Sequence, residues 1–439
     1  VHPYSTRNYY YLTVGALPGF RLNESNNGLI PSRTITDFQD LIWIEEEERK
    51  ADSRLKSGRE WLGQNFTAAD NGVYTSILRD TLPGSIPSQE ATLFANLVGR
   101  SVQLMSFDLR INNTDAGSVT ISPIFDYNSE EGAAANSRAL ISRPILSAQD
   151  GQINVEARIN HNEENSEGFI DWLRLYLNRS LTAKNDYLFF YAPSDGDIST
   201  IGSYRLDGFE EEPMVMEVST PESPRLLAHT FTNGEVSFSY HTRPENIFIA
   251  QSRFYTPPAG RAIENQNLSG ETAYPDYIII TSERFLDTAR ELAQYRSQND
   301  GLLPVVATQE QIFNEFSSGK TDITAMRDYV KMFYDRALTD GQRPPRYLLL
   351  FGNTTYDYKN LIPNALTNDV VTYQSQSSLF RTNTFATDDY FATLDDNEGD
   401  PTESNTSDRI DLGVGRIPAE TPAEARSILE KIIAYDNAQ

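Results

Sequence analysis

The sequence predicts a multidomain protein in which a β-sandwich or jelly-roll-like region precedes an α/β unit built on a parallel sheet. Two observations carry this prediction. Before about residue 275, short β-branched and aromatic runs such as residues 235–240 are separated by Gly, Asn, Asp and Pro, a pattern typical of antiparallel sandwiches. From Tyr277 onward, continuous apolar runs alternate with stretches of helical periodicity, which indicates buried parallel strands covered by helices on both faces.

The same patterns divide the chain into four parts. We expect residues 1–95 to form a less regular β-rich module and residues 96–256 to form one β-sandwich. Residues 257–275 are rich in Pro, Gly, Asn and Gln, as expected for an exposed linker. Residues 276–439 form the α/β unit, where the hydrophobic period changes from two to 3.6.

The α/β unit is predicted to contain four parallel strands with helices between them. The expected strands are residues 277–281, 303–307, 346–351 and 410–414, and the expected helices are residues 283–297, 308–318, 322–337 and 421–435. Thr308 with Gln311, and Thr421 with Glu424, have the spacing of helix-capping pairs. These caps fix where two of the helices begin.

Composition excludes several function classes. Lys and Arg total 37 and Asp and Glu total 62, so the net charge is −25, which opposes binding to a nucleic-acid backbone or to an anionic membrane surface. The longest strongly apolar runs, such as residues 347–351, are far shorter than the roughly 20 residues of a membrane helix. The chain contains no Cys, so these residues hold no disulfide, zinc–thiolate site or cysteine nucleophile.

Familiar catalytic and nucleotide motifs are also missing. The four histidines are His2, His161, His229 and His241, all in the β-rich part, and neither G-x-S-x-G nor H-E-x-x-H occurs. The G-x-G of residues 413–415 lacks the third glycine and the following helix of a dinucleotide site. The residues alone therefore show no complete active site.

The carboxyl ends of the third and fourth strands are the best candidates for a binding cleft, because ligands of open parallel sheets collect at the carboxyl ends of the strands. Two loops between these strands, residues 352–360 and 387–400, are expected to flank the cleft. A structural turn with surface tyrosines is the simpler alternative for the first of these loops. The candidate residues are Gly352, Asn353, Tyr356, Asp388, Asp389, Tyr390, Gly413, Gly415 and Arg416.

An acidic loop before the fourth strand offers weak calcium ligands. Asp395, Asp396 and Asp400 supply oxygens of the kind that Ca²⁺ binds, but their spacing does not fit the helix–loop–helix calcium motif. A solvated acidic loop is the competing interpretation, so we expect no obligatory cofactor, with calcium as the one cation to consider.

A set of short motifs in a fixed order resembles the gingipain-type cysteine peptidases, and within them the sortase-like signal peptidases of type IX secretion. The resemblance covers nearly the whole chain. The motifs are residues 7–15, 57–61, 265–270, 276–281, 311–319, 347–352, 356–360, 387–391 and 411–416. The resemblance implies a caspase-like α/β fold whose first subdomain, truncated here, is residues 276–439. It also implies a His–Cys dyad, which matches no position of this sequence and is expected beyond residue 439.

The resemblance further implies a function and a place for it. The whole protein is expected to be a cysteine endopeptidase and transpeptidase that removes C-terminal sorting domains from secreted cargo and joins the cargo to an anionic lipopolysaccharide. Its partners would be that cargo and other outer-membrane components of the secretion machinery, at the extracellular face of the outer membrane. The 439 residues alone are expected to be inactive. The alternative is a non-catalytic scaffold that binds cargo or a partner.

Overall fold

The computed structural model describes most of the chain. The described residues are 2–16, 19, 21–22, 24–25, 28–45, 57–62, 65–67, 73–78, 83–84, 86, 89–129, 132–146, 153–161, 163–366, 368–399 and 408–438. In this part of the chain, no helix combines the length and the apolar character needed to cross a bilayer.

The β-rich part consists of short strands joined by turns. In chain order the strands are β1 (Glu24–Ser25), β2 (Arg33–Ile35), β3 (Asp37–Glu45), β4 (Phe66–Thr67), β5 (Val73–Leu78), β6 (Gln89–Glu90), β7 (Thr92–Arg100), β8 (Met105–Ile111), β9 (Thr114–Ile121), β10 (Asn136–Ser142), β11 (Ile145–Leu146), β12 (Ile153–Asn160), β13 (Glu167–Ser180), β14 (Tyr187–Tyr191), β15 (Ile201–Leu206), β16 (Met214–Glu217), β17 (Arg225–Leu227), β18 (Thr230–Thr232), β19 (Glu235–His241) and β20 (Ile247–Gln251). Asn233 and Gly234 both have positive φ, as a tight turn between β18 and β19 requires.

The first sandwich is built from strands on both sides of residue 96. One sheet has the order β10-β7-β13-β3, with β4 also paired to β13, and the second has the order β5-β12-β8-β9. Alternate residues of β8 are buried, so Phe107 and Leu109 lie in the core with Leu97 of β7 and Leu175 of β13. This period-two burial is the pattern from which the strands were predicted.

A second sandwich has its own core. Its sheets have the orders β1-β17-β16-β20-β14 and β18-β19-β15-β2. Aromatic rings fill the space between them, since Tyr204 stacks on Phe238 at 4.9 Å and Phe190 stacks on Phe248 at 5.1 Å between ring centroids. The region predicted as one sandwich, residues 96–256, therefore contains parts of two separate hydrophobic clusters.

Strand pairing also crosses the predicted boundary at residue 95. Strand β3 pairs along its length with β13, β5 pairs with β12, and β2 pairs in parallel with β15. The early strands thus complete the sheets of later ones instead of forming a separate module. The reason is physical, because a sheet edge left open would expose unpaired backbone groups. Residues 8–14, although rich in tyrosine and aliphatic residues, form no strand and have no strand partner among the described residues.

The α/β unit follows the predicted order of elements. In chain order these are β21 (Tyr277–Thr281), a 3-10 turn (Glu283–Phe285), α1 (Leu286–Asp300), β22 (Pro304–Thr308), α2 (Gln309–Phe316), α3 (Ile323–Thr339), β23 (Tyr347–Phe351), β24 (Tyr373–Gln374), β25 (Ala386–Thr387), a second 3-10 turn (Asp389–Ala392), β26 (Gly413–Ile417) and α4 (Pro422–Asp436). Strands β22, β21, β23 and β26 lie side by side in that order and all are parallel. The four-stranded parallel sheet is therefore confirmed.

Helices cover both faces of this sheet. On one face Leu292 of α1 and Leu429 of α4 pack in a cluster with Ile279. On the other face Ile312 of α2 and Val330 of α3 pack in a larger cluster. Strands buried on both faces explain why the sequence runs here are continuously apolar.

The predicted helix caps are present. The Thr308 side chain accepts a hydrogen bond from the Gln311 amide, and the Gln311 side chain accepts one from the Thr308 amide. Thr421 accepts in the same way from the Glu424 amide at 3.2 Å. The fourth strand begins three residues later than predicted, because Asp411 instead accepts from the Leu394 amide and from Tyr334.

The linker, residues 257–275, contains no helix or strand but is attached to the α/β unit. Glu315 of α2 accepts hydrogen bonds from the amides of Leu268 and Ser269 at 2.6 and 2.9 Å. Burial alone would raise the pKa of Glu315, but these amides lower it below its usual value. The position of the linker against α2 is therefore fixed by a charged acceptor.

Candidate functional site

The carboxyl edge of the parallel sheet is where the predicted cleft residues should meet. Thr281, Thr308, Phe351 and Ile417 end the four strands at the same level. The residues that follow them leave the sheet as neighbours, so their loops form the rim of this edge.

Gly352 is required where the chain leaves the third strand. Its φ is +152°, and a Cβ built on it would lie 2.8 Å from the Cβ of Asp369. Its amide donates to the carbonyl of Ile417 at 2.9 Å. The glycine therefore allows the 369–372 segment to pass directly over the end of the sheet.

Asn353 acts through its main chain. Its amide donates to Ala419, and its carbonyl accepts from the amides of Asp369 and Val370 at 3.0 and 3.1 Å. These bonds extend the contact made at Gly352 by one residue. Both predicted positions after the third strand thus shape the loop at the sheet edge.

Arg416 is the central side chain of this edge. Its guanidinium donates to both carboxylate oxygens of Asp388, at 2.8 and 2.7 Å, and to the carbonyls of Gly352 and Val370, at 2.9 and 2.8 Å. Thr372 adds a hydrogen bond to Asp388 at 2.6 Å. One arginine therefore joins three loops that are far apart in sequence, using the planar fork that suits a carboxylate.

The two neighbouring aspartates have different environments. Asp388 is mostly buried in the arginine contact, whereas Asp389 is exposed, and its amide donates to Thr387. The structure therefore brings Asp388 into the edge and leaves Asp389 at the surface.

Tyr390 belongs to the hydrophobic core. Its hydroxyl lies 3.1 Å from that of Thr324, and its ring stacks on Tyr373 at 5.1 Å. Burial raises the pKa of Tyr390, so the phenol stays neutral at physiological pH. It supports the loop from within.

The motif at residues 356–360 faces the β-rich part of the chain. The Trp61 ring lies 6.1 Å from that of Tyr356 and 5.9 Å from that of Tyr358. The Arg59 amide donates to Ser375, and its carbonyl accepts from the Tyr358 hydroxyl. Tyr356 therefore lies at an internal contact, and residues 57–62 are inserted against the α/β unit.

Asp357, within the same motif, organises the turn that follows it, although the sequence did not single it out. It is fully buried, and its carboxylate accepts from the amides of Leu361 and Ile362 at 2.8 and 2.7 Å. An aspartate that begins a polar turn is the sequence signal for this bonding.

Gly413 and Gly415 lie in β26, at the outer edge of the sheet. A Cβ on Gly415 would meet nothing within 4 Å, so close packing does not require glycine there. They form no turn around a phosphate, which agrees with the rejection of a dinucleotide site.

The acidic loop before β26 is held by cations of α3. Lys331 lies 2.9 Å from the carboxylate of Asp396, and Arg327 donates to the carbonyls of Asp395 and Glu398. Among the described residues, no group of three or more His, Asp and Glu side chains is arranged to hold a metal ion. Asp400 lies outside the described residues, so the calcium prediction is not tested at that position.

Two further acidic side chains stand at this edge. Burial raises the pKa of Asp369, although the guanidinium of Arg284, at 3.4 Å, acts in the opposite direction. Burial also raises the pKa of Glu310, in the first turn of α2. Carboxylates whose ionised form is disfavoured often occur at functional sites. No sequence motif pointed to Asp369 or Glu310.

Comparison with known proteins extends these observations. The model of peptidase family C25 matches residues 271–439. The crystal structure of dimeric latent PorU from Porphyromonas gingivalis matches 94% of this chain at 25% sequence identity, with a TM-score of 0.77. This chain covers 39% of that PorU chain. No curated protein matches it significantly.

Two carbohydrate-binding modules overlap a smaller part of the chain. A CBM6 module of a marine laminarinase from Zobellia galactanivorans covers 31% of this chain and 98% of its own, at 14% identity and a TM-score of 0.18. A CBM36 module in complex with calcium and xylotriose covers 30% and 98%, at 12% identity and a TM-score of 0.20. Overlaps of this size give no basis for a carbohydrate ligand.

Proposed function

We propose that the chain forms the first peptidase subdomain and the preceding β-rich region of a PorU-like cysteine endopeptidase, because residues 271–439 match peptidase family C25 and 94% of the chain matches the structure of PorU. The predicted fold class, a β-sandwich region followed by a gingipain-type α/β subdomain, is confirmed. The observation that supports the activity most is the match of both parts together, over 94% of the chain.

The proposed chemistry needs groups outside these residues. The chain has no Cys, and all four histidines precede the α/β unit. A thiolate activated by His would attack the carbonyl of the scissile peptide bond and form a thioester acyl-enzyme, while the C–N bond breaks and the C-terminal fragment leaves as an amine protonated by the His. We assign both groups to the part of the parent protein beyond this chain. The contribution of this chain is to hold the sheet edge where Arg416 fixes the loops.

The finer role that we propose is that of a sortase-like signal peptidase of type IX secretion. The substrate would be cargo with a C-terminal sorting domain, and the acceptor of the acyl group would be an anionic lipopolysaccharide. This role places the parent protein at the extracellular face of the outer membrane, together with other components of the secretion machinery. It rests on the likeness to PorU.

The test uses the parent protein and this chain side by side. The coding sequence after Gln439 should contain a Gly-His-Gly element and then a Cys. A thiol-directed electrophile with a peptide recognition element should label the parent and should not label its Cys→Ala variant. The chain alone should neither react nor cleave a sorting-domain substrate, because it has no thiol.

A non-catalytic scaffold is the competing proposal. It predicts that the parent binds the sorting domain but leaves it intact and contains no cysteine reactive towards the electrophile. Cleavage of the substrate by the 439-residue chain itself would contradict both proposals.

A further inference from the structure

A hairpin connects the sheet edge of the α/β unit with the first sandwich. Strands β24 and β25 pair antiparallel, and residues 375–385 form the loop between them. We call residues 372–388, which include both strands and this loop, the edge hairpin. Its base lies at the carboxyl edge of the parallel sheet, and its tip contacts a different part of the protein.

The base of the edge hairpin belongs to the arginine contact at the sheet edge. The Thr372 hydroxyl lies 2.9 Å from the carbonyl oxygen of Thr387 and 2.6 Å from the carboxylate of Asp388, so the two ends of the hairpin are joined. Arg416 holds Asp388 and also donates to the carbonyl of Val370, in the segment that crosses the end of the sheet. A movement of the base therefore disturbs the whole contact.

The tip of the edge hairpin is paired with the first sandwich. The Ala134 amide donates to the carbonyl of Leu379 at 2.8 Å, and the Arg381 amide donates to that of Gly132 at 3.0 Å. These bonds enclose a short antiparallel bridge just before β10. Leu379 is 7% exposed and packs in a cluster with Val98 of β7. The tip is therefore attached to the sandwich by main-chain bonds and by apolar packing.

Residues 57–62 support the edge hairpin between its two ends. The Ser378 amide donates to the carboxylate of Glu60 at 2.8 Å, and the Glu60 amide donates to the Ser378 hydroxyl at 3.0 Å. Gly58 has φ of +87°, and a Cβ there would lie 2.5 Å from the carbonyl oxygen of Ser377, so the two segments are in direct contact. Close-packed groups transmit strain because they have no space in which to yield. The hairpin is therefore held along its side as well as at both ends.

We propose that the edge hairpin couples the first sandwich to the sheet edge, so that the state of the sandwich sets the conformation of the loops that Arg416 joins. A displacement of residues 132–135 would move Leu379 and, through the supported hairpin, the contact of Arg416 with Asp388. The first sandwich would then regulate the sheet edge in addition to supporting it. This coupling goes beyond the proposed function, and it holds or fails for this chain whatever the activity of the parent protein.

Hydrogen exchange of the full chain, measured by mass spectrometry, reports the state of both ends. At the sheet edge the amides of Asp369 and Val370 donate to the carbonyl of Asn353, and at the tip the Ala134 amide donates to Leu379. Opening of either end frees these amides for exchange. Helix α1 is the internal reference, because it packs on the face of the parallel sheet opposite to the cluster that contains the hairpin strand β24.

Leu379→Ala tests transmission from the tip to the base. It removes the apolar anchor of the tip, whereas Thr382→Ala, at an exposed side chain of the same tip, is the matched control. Relative to α1, exchange at residues 369–374 should become at least about tenfold faster in Leu379→Ala and should not change in Thr382→Ala. Faster exchange confined to the hairpin loop and to residues 132–135 would overturn the proposal, because the tip would then open without moving the base.

Asp388→Asn tests transmission in the opposite direction. Coupling between two sites is reciprocal, so a change at the base must also loosen the tip. Relative to α1, exchange at residues 132–135 should become at least about threefold faster in Asp388→Asn. It should not change in Arg426→Lys, whose ion pair is exposed. Unchanged exchange at the tip in Asp388→Asn would contradict the proposal. If Leu379→Ala lacks the circular dichroism spectrum of the wild type, Leu379→Val creates a smaller cavity and decides the first comparison by the same two outcomes.

Discussion

The guanidinium of Arg416 holds Asp388 through both carboxylate oxygens, at 2.8 and 2.7 Å, with side chains that are 12% and 21% exposed. The same group also binds the carbonyls of Gly352 and Val370. The loops of the sheet edge are therefore joined by one side chain of the edge strand.

Arg416→Lys should destabilise the protein although it keeps the charge. Lysine cannot reproduce the planar fork, so carbonyl acceptors lose their donors, and we expect a loss of about 2 kcal/mol in the free energy of unfolding. The matched control is Arg426→Lys, whose pair with Glu291 is exposed on both sides and should change stability by less than about 0.5 kcal/mol. Denaturant titration measures both variants, and equal midpoints would show that the junction is not needed.

Mutation of the two neighbouring aspartates, Asp388 and Asp389, should have different effects. Asp388→Asn removes a charged acceptor of Arg416 and should open the edge, detected as faster proteolysis in residues 369–372. Asp389→Asn should have no measurable effect, because that side chain is exposed. In the parent protein, Asp388→Asn should lower turnover while the cysteine still reacts with a small electrophile. A folded variant with an unreactive cysteine would mean that Asp388 acts in the chemistry.

Sequence reasoning found these positions but could not assign their roles. Gly352 was recognisable because it follows a buried strand, and Arg416 because it ends residues 411–416, one of the motifs of the family resemblance. Asp388 and Asp389 are adjacent and chemically identical, and only a contact with a distant strand distinguishes them. Local patterns contain no information about such contacts.

The same limit applied to the β-rich part. Strand β3 was recognisable by its composition, but its partner β13 lies far along the chain. Many pairings of short strands satisfy the same period-two pattern, so the boundary at residue 95 could not be tested by periodicity. In the α/β unit, sequential strands and capped helices define their own order, which is why that part was predicted well.

Gly352→Ala should be more damaging than Gly415→Ala. A methyl group at Gly352 would press on Asp369, and the left-handed φ adds strain, so we expect a loss of about 2 kcal/mol or more. At Gly415 there is open space, so alanine should be neutral or slightly stabilising in the strand. Thermal unfolding of the two variants measures the difference. A larger loss at Gly415 would contradict the packing described here.

Glu315 should make a pH-dependent contribution to stability. Its pKa in the folded protein is lowered from an ordinary value of 4.5, since the amides of Leu268 and Ser269 outweigh burial. The stabilisation is therefore complete well above pH 4.5 and is lost as the pH falls through the folded-state pKa. Glu315→Gln should be less stable than the wild type at pH 7, and the difference should shrink below about pH 4. Urea titrations at several pH values measure this, and a pH-independent difference would be inconsistent with it.

Trp61→Ala should separate the β-rich part from the α/β unit. Trp61 is buried in the core cluster that contains Tyr358 and much of α3, although it comes from the segment that leads into the first sandwich. Its loss should cost about 3–5 kcal/mol and leave a cavity between the two parts. Because the docking of residues 57–62 would then be weak, we expect calorimetry to show one unfolding transition for the wild type and two for the variant. Phe125→Ala, at a ring that is almost fully exposed, is the matched control and should preserve one transition at the original temperature. If Trp61→Ala still unfolds in one transition with little loss of stability, the two parts are joined mainly by other contacts, such as that of Tyr4 with Gln374.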